Sequence, residues 1–200
     1  MVLDIITLGG IYRVVGFLDD ERALWGRSLG DIPVVGGCDA LPDLHQQGVE
    51  GIAFAVGDNR ARERVLDQAR RAGLTPITAI HPRAVVAGGV QLGLGIWIAA
   101  GVIVNPGAII GDGAVLNTGA TVDHDCRIGA YANVSPGCHL SGRTVIGRYA
   151  FLGTGAITLP DVVVGEEATV GAGAVVLTAV APGTTVVGVP ARVVRQDGNR

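Results

Sequence analysis

A repeat of six residues, unbroken from Leu92 to Ala181, constrains this chain more than any other feature of its sequence. Cut from Leu92, the first position of each hexad reads Leu92, Ile98, Val104, Ile110, Leu116, Val122, Ile128, Val134, Leu140, Ile146, Leu152, Thr158, Val164, Val170 and Val176; fourteen of the fifteen are aliphatic. The fifth position is small or branched throughout, from Ile96 and Val102 through Cys126 and Cys138 to Val180, and the second or fourth is commonly glycine. An amphipathic helix needs apolar residues at every third or fourth position, and an antiparallel strand alternates strictly, so a period of six fits neither. It requires short strands joined by tight turns.

Three such strands close one triangular coil and stack residues that lie 18 apart. The aliphatic position points into the prism, the small one fits the corner, and glycine permits the turn. One coil cannot bury its own interior, whereas the five coils spanned here share a continuous core. Residues 81–200 are therefore expected to form an all-β left-handed parallel β-helix with a C-terminal tail. The composition agrees, since 32 of 200 residues are glycine and aromatics make up only 4%, which calls for many tight turns around small aliphatic side chains.

Residues 1–80 alternate apolar runs with amphipathic segments, the pattern of an α/β, Rossmann-like unit. Strands are expected at Val14–Leu18, Ile32–Val35, Gly51–Val56 and Thr75–Ile80, and helices at Leu41–Gln47 and Arg60–Ala72, the latter with Asn59 as N-cap and Gly73 as its stop. His81-Pro82 makes the joint to the β-helix.

Charge and cysteine usage narrow the function. All 15 basic residues are arginine, so Walker-type phosphate binding by lysine and Schiff-base chemistry are excluded, and a formal charge of −3 argues against a nucleic-acid surface. Cys38, Cys126 and Cys138 have neither disulfide nor zinc spacing and point to a reducing, cytoplasmic compartment. Met1–Gly10 lacks a basic n-region and carries Asp4, so it does not read as a signal peptide. The uncharged stretch between Arg83 and Asp112 is long enough for a membrane span, yet Gln91, Asn105, Pro106 and its glycines interrupt it, and the hexad pattern runs through it. With only His45, His81, His124 and His139, and no close histidine pair, no metal is expected, and a three-histidine zinc site of the γ-carbonic-anhydrase type is disfavoured.

Six segments in order carry a resemblance: GFLDD (Gly16 to Asp20), AVGDNR (Ala55 to Arg60), His81-Pro82, NTGATVDHDCRIG (Asn117 to Gly129), VSPG (Val134 to Gly137) and GVPAR (Gly188 to Arg192). Over nearly its whole length the chain resembles the sialic-acid O-acetyltransferase and bacterial nucleotide-aminosugar N-acetyltransferase family of hexapeptide-repeat enzymes. The resemblance implies that His124 is the general base and that Asp125 raises its basicity. It further implies acetyl-CoA contacts at Asn133, Thr154 and Ala172, acceptor contacts at Asp19, Asp20 and Gly57, and a homotrimer with the acetyl-CoA groove between neighbouring β-helices. Asn133 stands where the family frequently has histidine.

A base suffices chemically. A thioester is already activated, and the remaining task is to remove a proton from the attacking amine or hydroxyl, which an imidazole held by a carboxylate does near neutral pH. Thr154 and Ala172 share the third hexad position one coil apart, so they should stack beside an extended ligand. The expected activity is N-acetylation of a nucleotide-linked amino sugar, with O-acetylation of sialic acid and a non-catalytic sugar-nucleotide scaffold as alternatives. Members of the family begin with a strand and a glycine-rich loop ahead of a first helix, whereas Met1-Val2-Leu3-Asp4-Ile5 reads as the tail of that helix. A natural start upstream of Met1 is the expectation.

Overall fold

The computed structural model describes residues 1–196. Each hexad contributes a two-residue strand made of its sixth and first positions, such as Thr121–Val122, whose outer residue faces away from the prism while the inner one enters it. The strands pair in parallel at a spacing of 18 residues, as in Ile103 with Thr121 and Thr121 with His139. Three sheets of eight, six and five strands make the faces of a left-handed parallel β-helix. The winding starts ahead of Leu92: Ala79–Ile80 is the first strand of the first face and pairs with Trp97–Ile98, and Val85–Val86 opens the second face. The apolar stretch that mimics a membrane span is cut into these short strands, and no helix among the described residues is long and apolar enough to cross a membrane.

The inward positions form one core. Ile98, Val104, Leu116, Val122, Val134, Leu152, Val164 and Val170 are each 0% exposed, and burying a side chain of that size contributes roughly 1.5–3 kcal/mol. The exception in the hexad pattern is also explained. Thr158 is buried, and its hydroxyl shares a hydrogen bond with Thr144 Oγ1 at 2.9 Å and accepts one from the Ser141 N–H at 3.3 Å, so neither threonine hydroxyl is stranded.

Corners have their own rule. From Gly95 to Gly173 the fourth hexad position takes a left-handed backbone, supplied by glycine at most corners but by Asp125, Tyr131, Arg143, Tyr149, Asp161 and Glu167 at φ between 57° and 64° at the others. A side chain there costs about 1 kcal/mol or more, so these six places are where the corner carries something glycine cannot. The second position is glycine where backbones of successive coils meet. A Cβ on Gly129 would stand 2.5 Å from Arg148 N and 2.6 Å from Gly147 C, both main-chain atoms that cannot swing aside. Gly129→Ala is therefore expected to lower unfolding stability by about 1–3 kcal/mol, read as a shifted urea midpoint at unchanged slope.

The N-terminal α/β region consists of helices α1 (Val2–Gly9), α2 (Leu41–Gln46) and α3 (Asn59–Arg71) and strands β1 (Phe17–Leu18), β2 (Ser28–Leu29), β3 (Ile32–Gly36), β4 (Gly51–Ile52) and β5 (Thr75–Pro76). Its strands are shorter than the apolar runs suggest and lie in two sheets, β1-β3-β2 and β4-β5. The N-cap of α3 is Asp58, one residue earlier than expected. Its Oδ1 accepts from Ala61 N at 2.6 Å, while Asn59 turns its amide to the β-helix and donates to Tyr149 O at 2.8 Å.

Helix α3 lies along the corner between the third and first faces and descends it. Arg60 pairs with Glu167, Glu63 with Arg148 and the Tyr149 hydroxyl, and Arg70 with Asp112 at 2.7 Å. Ten residues of helix rise about 15 Å, and three coils climb about 14 Å, so one helix reads successive coils in register. Tyr131 and Tyr149 stack with ring centroids 5.7 Å apart, and Arg60 caps the stack 4.3 Å from the Tyr149 ring. Both rings join Leu41, Phe54, Leu66, Ala69 and Leu74 in a second core that binds the two regions together. At the far end, Thr184–Val187 adds to the first face and is covered by the antiparallel strand Arg192–Gln196.

Candidate active site

His124 sits on the turn Asp123–Cys126 that joins the second and third faces. The turn is braced from within. Asp123 Oδ1 accepts from Asn105 Nδ2, one coil earlier, at 2.8 Å and from the His124 N–H at 2.7 Å, and these two bonds hold the Asp123 carboxyl below the usual carboxylate range. The imidazole Nδ1 lies 2.9 Å from Asp125 Oδ2, and half of the side chain (48%) faces solvent. An ionised carboxylate only accepts, so Nδ1 carries the hydrogen and Nε2 is left as the free basic atom.

Two glycines give this pair its seat: Gly107, at the left-handed fourth hexad position, and Gly142, at the third, where the pattern does not call for glycine. A Cβ on Gly142, in the following coil, would stand 2.6 Å from His124 Nε2, and one on Gly107, in the preceding coil, would overlap Asp125 Oδ1. Imidazole and carboxylate thus occupy space that any side chain there would fill. One coil above Asp125, Arg143 grips Asp161 with two bonds of 2.6 and 2.8 Å, which keeps the Asp161 carboxyl low and closes the charged edge of the corner. His139 is placed differently: it points outward from the middle of the second face and shares a 2.9 Å hydrogen bond with Thr121 Oγ1.

The acceptor candidates follow the carboxyl ends of parallel strands, where open α/β sheets bind ligands. Gly57, beyond β4, lines a cavity of about 390 Å³ with Asp58, Asn59, Arg60, Tyr149, Phe151 and Glu167. Asp19 and Asp20, beyond β1, lie outside that lining. Asp19 Oδ1 accepts from Glu21 N at 2.8 Å, and the Asp20 carboxylate accepts at Oδ1 from Cys38 N at 3.1 Å and also bonds the Cys38 thiol; both carboxylates are exposed.

The remaining three candidates divide. Thr154 and Ala172 are exposed on the corner between the first and second faces and stack as successive rungs, with Gly173 N–H donating to Thr154 O at 2.8 Å. Asn133 is half-buried on the first face one coil before Phe151, and its buried Oδ1 has no partner among the described residues. Asn133 is thus the strand neighbour of Phe151, which lines the Gly57 cavity, without lining it itself. Within one chain the three groups occupy three different corners of the prism: the base on one, the Gly57 cavity on the next, the stacked rungs on the third. No single copy brings them together.

Known proteins match this architecture. Residues 1–69 match the family described as the PglD N-terminal domain, and residues 143–178 the family described as bacterial transferase hexapeptide (six repeats). A curated GDP-perosamine N-acetyltransferase of Escherichia coli O157:H7 is 35% identical over 91 residues, a match that spans 46% of this chain and 41% of that protein's length. The crystal structure of PerB from Caulobacter crescentus, in complex with CoA and GDP-perosamine, superposes with a TM-score of 0.91 at 41% identity, covering 96% of this chain and 90% of that one. The acetyltransferase domain of PglB from Neisseria gonorrhoeae, in complex with acetyl coenzyme A, gives a TM-score of 0.91 at 38% identity, covering 96% and 92%. With likeness of that extent and identity in both regions, the chain belongs to the family of hexapeptide-repeat, left-handed β-helix acyltransferases that includes PerB and the PglB acetyltransferase domain.

Proposed function

We propose that this protein transfers the acetyl group of acetyl-CoA to the amine of a nucleotide-linked amino sugar, directly and without a covalent enzyme intermediate. The observation that carries the reading is the half-exposed His124–Asp125 pair, oriented through Nδ1 so that Nε2, seated over Gly142, has no hydrogen-bond partner among the described residues. In this reaction the sugar amine attacks the thioester carbonyl, Nε2 takes the proton that the nitrogen sheds, and the carbon–sulfur bond breaks as the imidazolium passes that proton to the leaving sulfur, releasing CoA as its thiol. Asp125 supports the imidazolium that forms. The Gly57 cavity, within the ~300–1,000 Å³ range of ligand sites, receives part of the acceptor, with Asp19 and Asp20 holding its nucleotide. Thr154, Ala172 and Asn133 line the path of the pantetheine arm.

Distribution of these residues over three corners supports a homotrimer. Rotation about an axis parallel to the solenoid sets the histidine corner of one copy against the cavity or the rungs of its neighbour, so each site is completed between copies. The three cysteines are free thiols, which supports work in the reducing cytoplasm.

The test is a panel of GDP-, UDP- and dTDP-linked amino sugars with acetyl-CoA, following thiol release and the mass of the sugar product. At least one amino sugar should gain an acetyl group on nitrogen with stoichiometric thiol. Transfer only to sialic-acid hydroxyls would replace the acceptor, and tight sugar-nucleotide binding with no thiol release would leave a scaffold.

A further inference from the structure

Arg62, in the first turns of α3, is 0% exposed and has no carboxylate among its hydrogen-bond partners in the described residues. Burial lowers its pKa to about 10, so it is still a cation at neutral pH. A guanidinium has five N–H donors, and the contacts here number five. Nε donates to Gly113 O at 2.6 Å; Nη1 donates to Val56 O at 2.9 Å and Gly57 O at 3.2 Å; Nη2 donates to Asn59 Oδ1 and Tyr131 O, both at 2.8 Å. Four of the acceptors are main-chain carbonyls, which no change of side chain at those positions would remove.

These carbonyls belong to two things that must be kept at a fixed distance. Val56 and Gly57 form the loop that lines the cavity. Gly113 and Tyr131 are 18 residues apart, the start and end of one coil, and His124 lies within that coil. Asn59 extends the grip by one coil more through its bond to Tyr149 O. We propose that Arg62 is a positioning residue for acceptor binding, which indexes the Val56–Gly57 loop to the coil of the solenoid that carries His124.

The consequence is one of height. Copies related by rotation about an axis parallel to the solenoid keep the same axial level, so a loop fixed between residues 113 and 131 in one copy stands level with His124 of the next. This inference rests on the acetyl-transfer reading above. Lysine cannot substitute, because three donors on a flexible stem cannot span carbonyls of two coils and a loop at once.

The variants are Arg62→Lys and Asn59→Ala, the second removing one acceptor and the Tyr149 tether while leaving the α3 core residues untouched. Melting temperature and oligomeric state are recorded first. For Arg62→Lys the KM of the amino-sugar nucleotide is expected to rise roughly tenfold or more, with the KM of acetyl-CoA within about twofold of the parent. Asn59→Ala should shift in the same direction by less. Amide hydrogen exchange at residues 55–60 should accelerate in both, with exchange over residues 115–128 unchanged. A folded Arg62→Lys protein with an unaltered acceptor KM, or with both KM values raised together, would overturn the proposal. Should the parent chain transfer no acetyl group, the functional reading fails by itself, and the exchange measurement still decides: unchanged exchange at 55–60 in both variants refutes the indexing.

Discussion

Replacing His124 with alanine is expected to lower kcat at least ~10²-fold and to leave the fold intact. Half of the side chain faces solvent, its backbone N–H bond to Asp123 survives the change, and the residue takes no part in either apolar core. Surface changes of this kind alter stability by about 0.5 kcal/mol or less. The loss therefore has to appear in the chemical step, with the KM of both substrates nearly unmoved. Asp125→Asn gives the second half of the argument. Its amide keeps the shape but offers a donor where the imidazole N–H now finds an acceptor, so an intermediate loss of kcat is expected. A His124→Ala protein that folds, assembles and keeps more than about a tenth of its kcat would be incompatible with an imidazole base, and a chain that serves only as a scaffold would not respond at all.

The fold was readable in the sequence because a solenoid writes its geometry as a period. Val122, Leu140 and Val104 each repeat one local environment, so fifteen hexads give fifteen readings of the same rule. Thr158 breaks the rule, and its partner Thr144 sits at a fifth position, 14 residues away. Sequence spacing has no signal for such a pair. The N-terminal region has no repeat to average over, and there the expected strands are too long. The cap of α3 falls on Asp58 instead of Asn59, because Asn59 serves the β-helix.

The candidate residues stand out one by one in the sequence, but not as a place. Asp123, His124 and Asp125 stand out as a polar cluster on a turn, and the 30 residues from His124 to Thr154, which are not a multiple of 18, already put the rungs on another corner; nothing in the order of residues says which corner the Gly57 cavity occupies. That follows from the corner on which α3 docks. Arg62 carries no signal in the sequence, because one arginine in an arginine-rich amphipathic helix looks like a solvated charge. Its neighbours Arg60, Arg64 and Arg71 lie partly or wholly on the surface, and only the docked position of α3 distinguishes it. A signal did exist for the docking corner: Tyr131 and Tyr149 occupy the fourth hexad position, where a bulky left-handed residue needs a reason.

Gly142→Ala should separate stability from activity in opposite directions. Gly142 does not need a left-handed backbone, so alanine is permitted there, and the loss of freedom in the unfolded chain favours the variant by about 0.4–1 kcal/mol. The cost falls on the imidazole instead, because the new methyl would stand 2.6 Å from His124 Nε2 and 2.8 Å from Cε1. A half-exposed ring can rotate away cheaply, and in doing so it leaves Asp125 Oδ2 and carries Nε2 off the position from which it would take the proton. A misplacement of about 1 Å in such a group can cost 10²-fold. The expected outcome is a melting temperature equal to or above that of the parent, with kcat lowered roughly 10- to 100-fold. Gly129→Ala, whose methyl meets main chain instead of a mobile ring, should do the reverse: lose stability and keep most of its activity while folded. If Gly142→Ala proves fully active, the imidazole does not act from the seat that Gly142 leaves open, and the geometry assigned to the base is wrong.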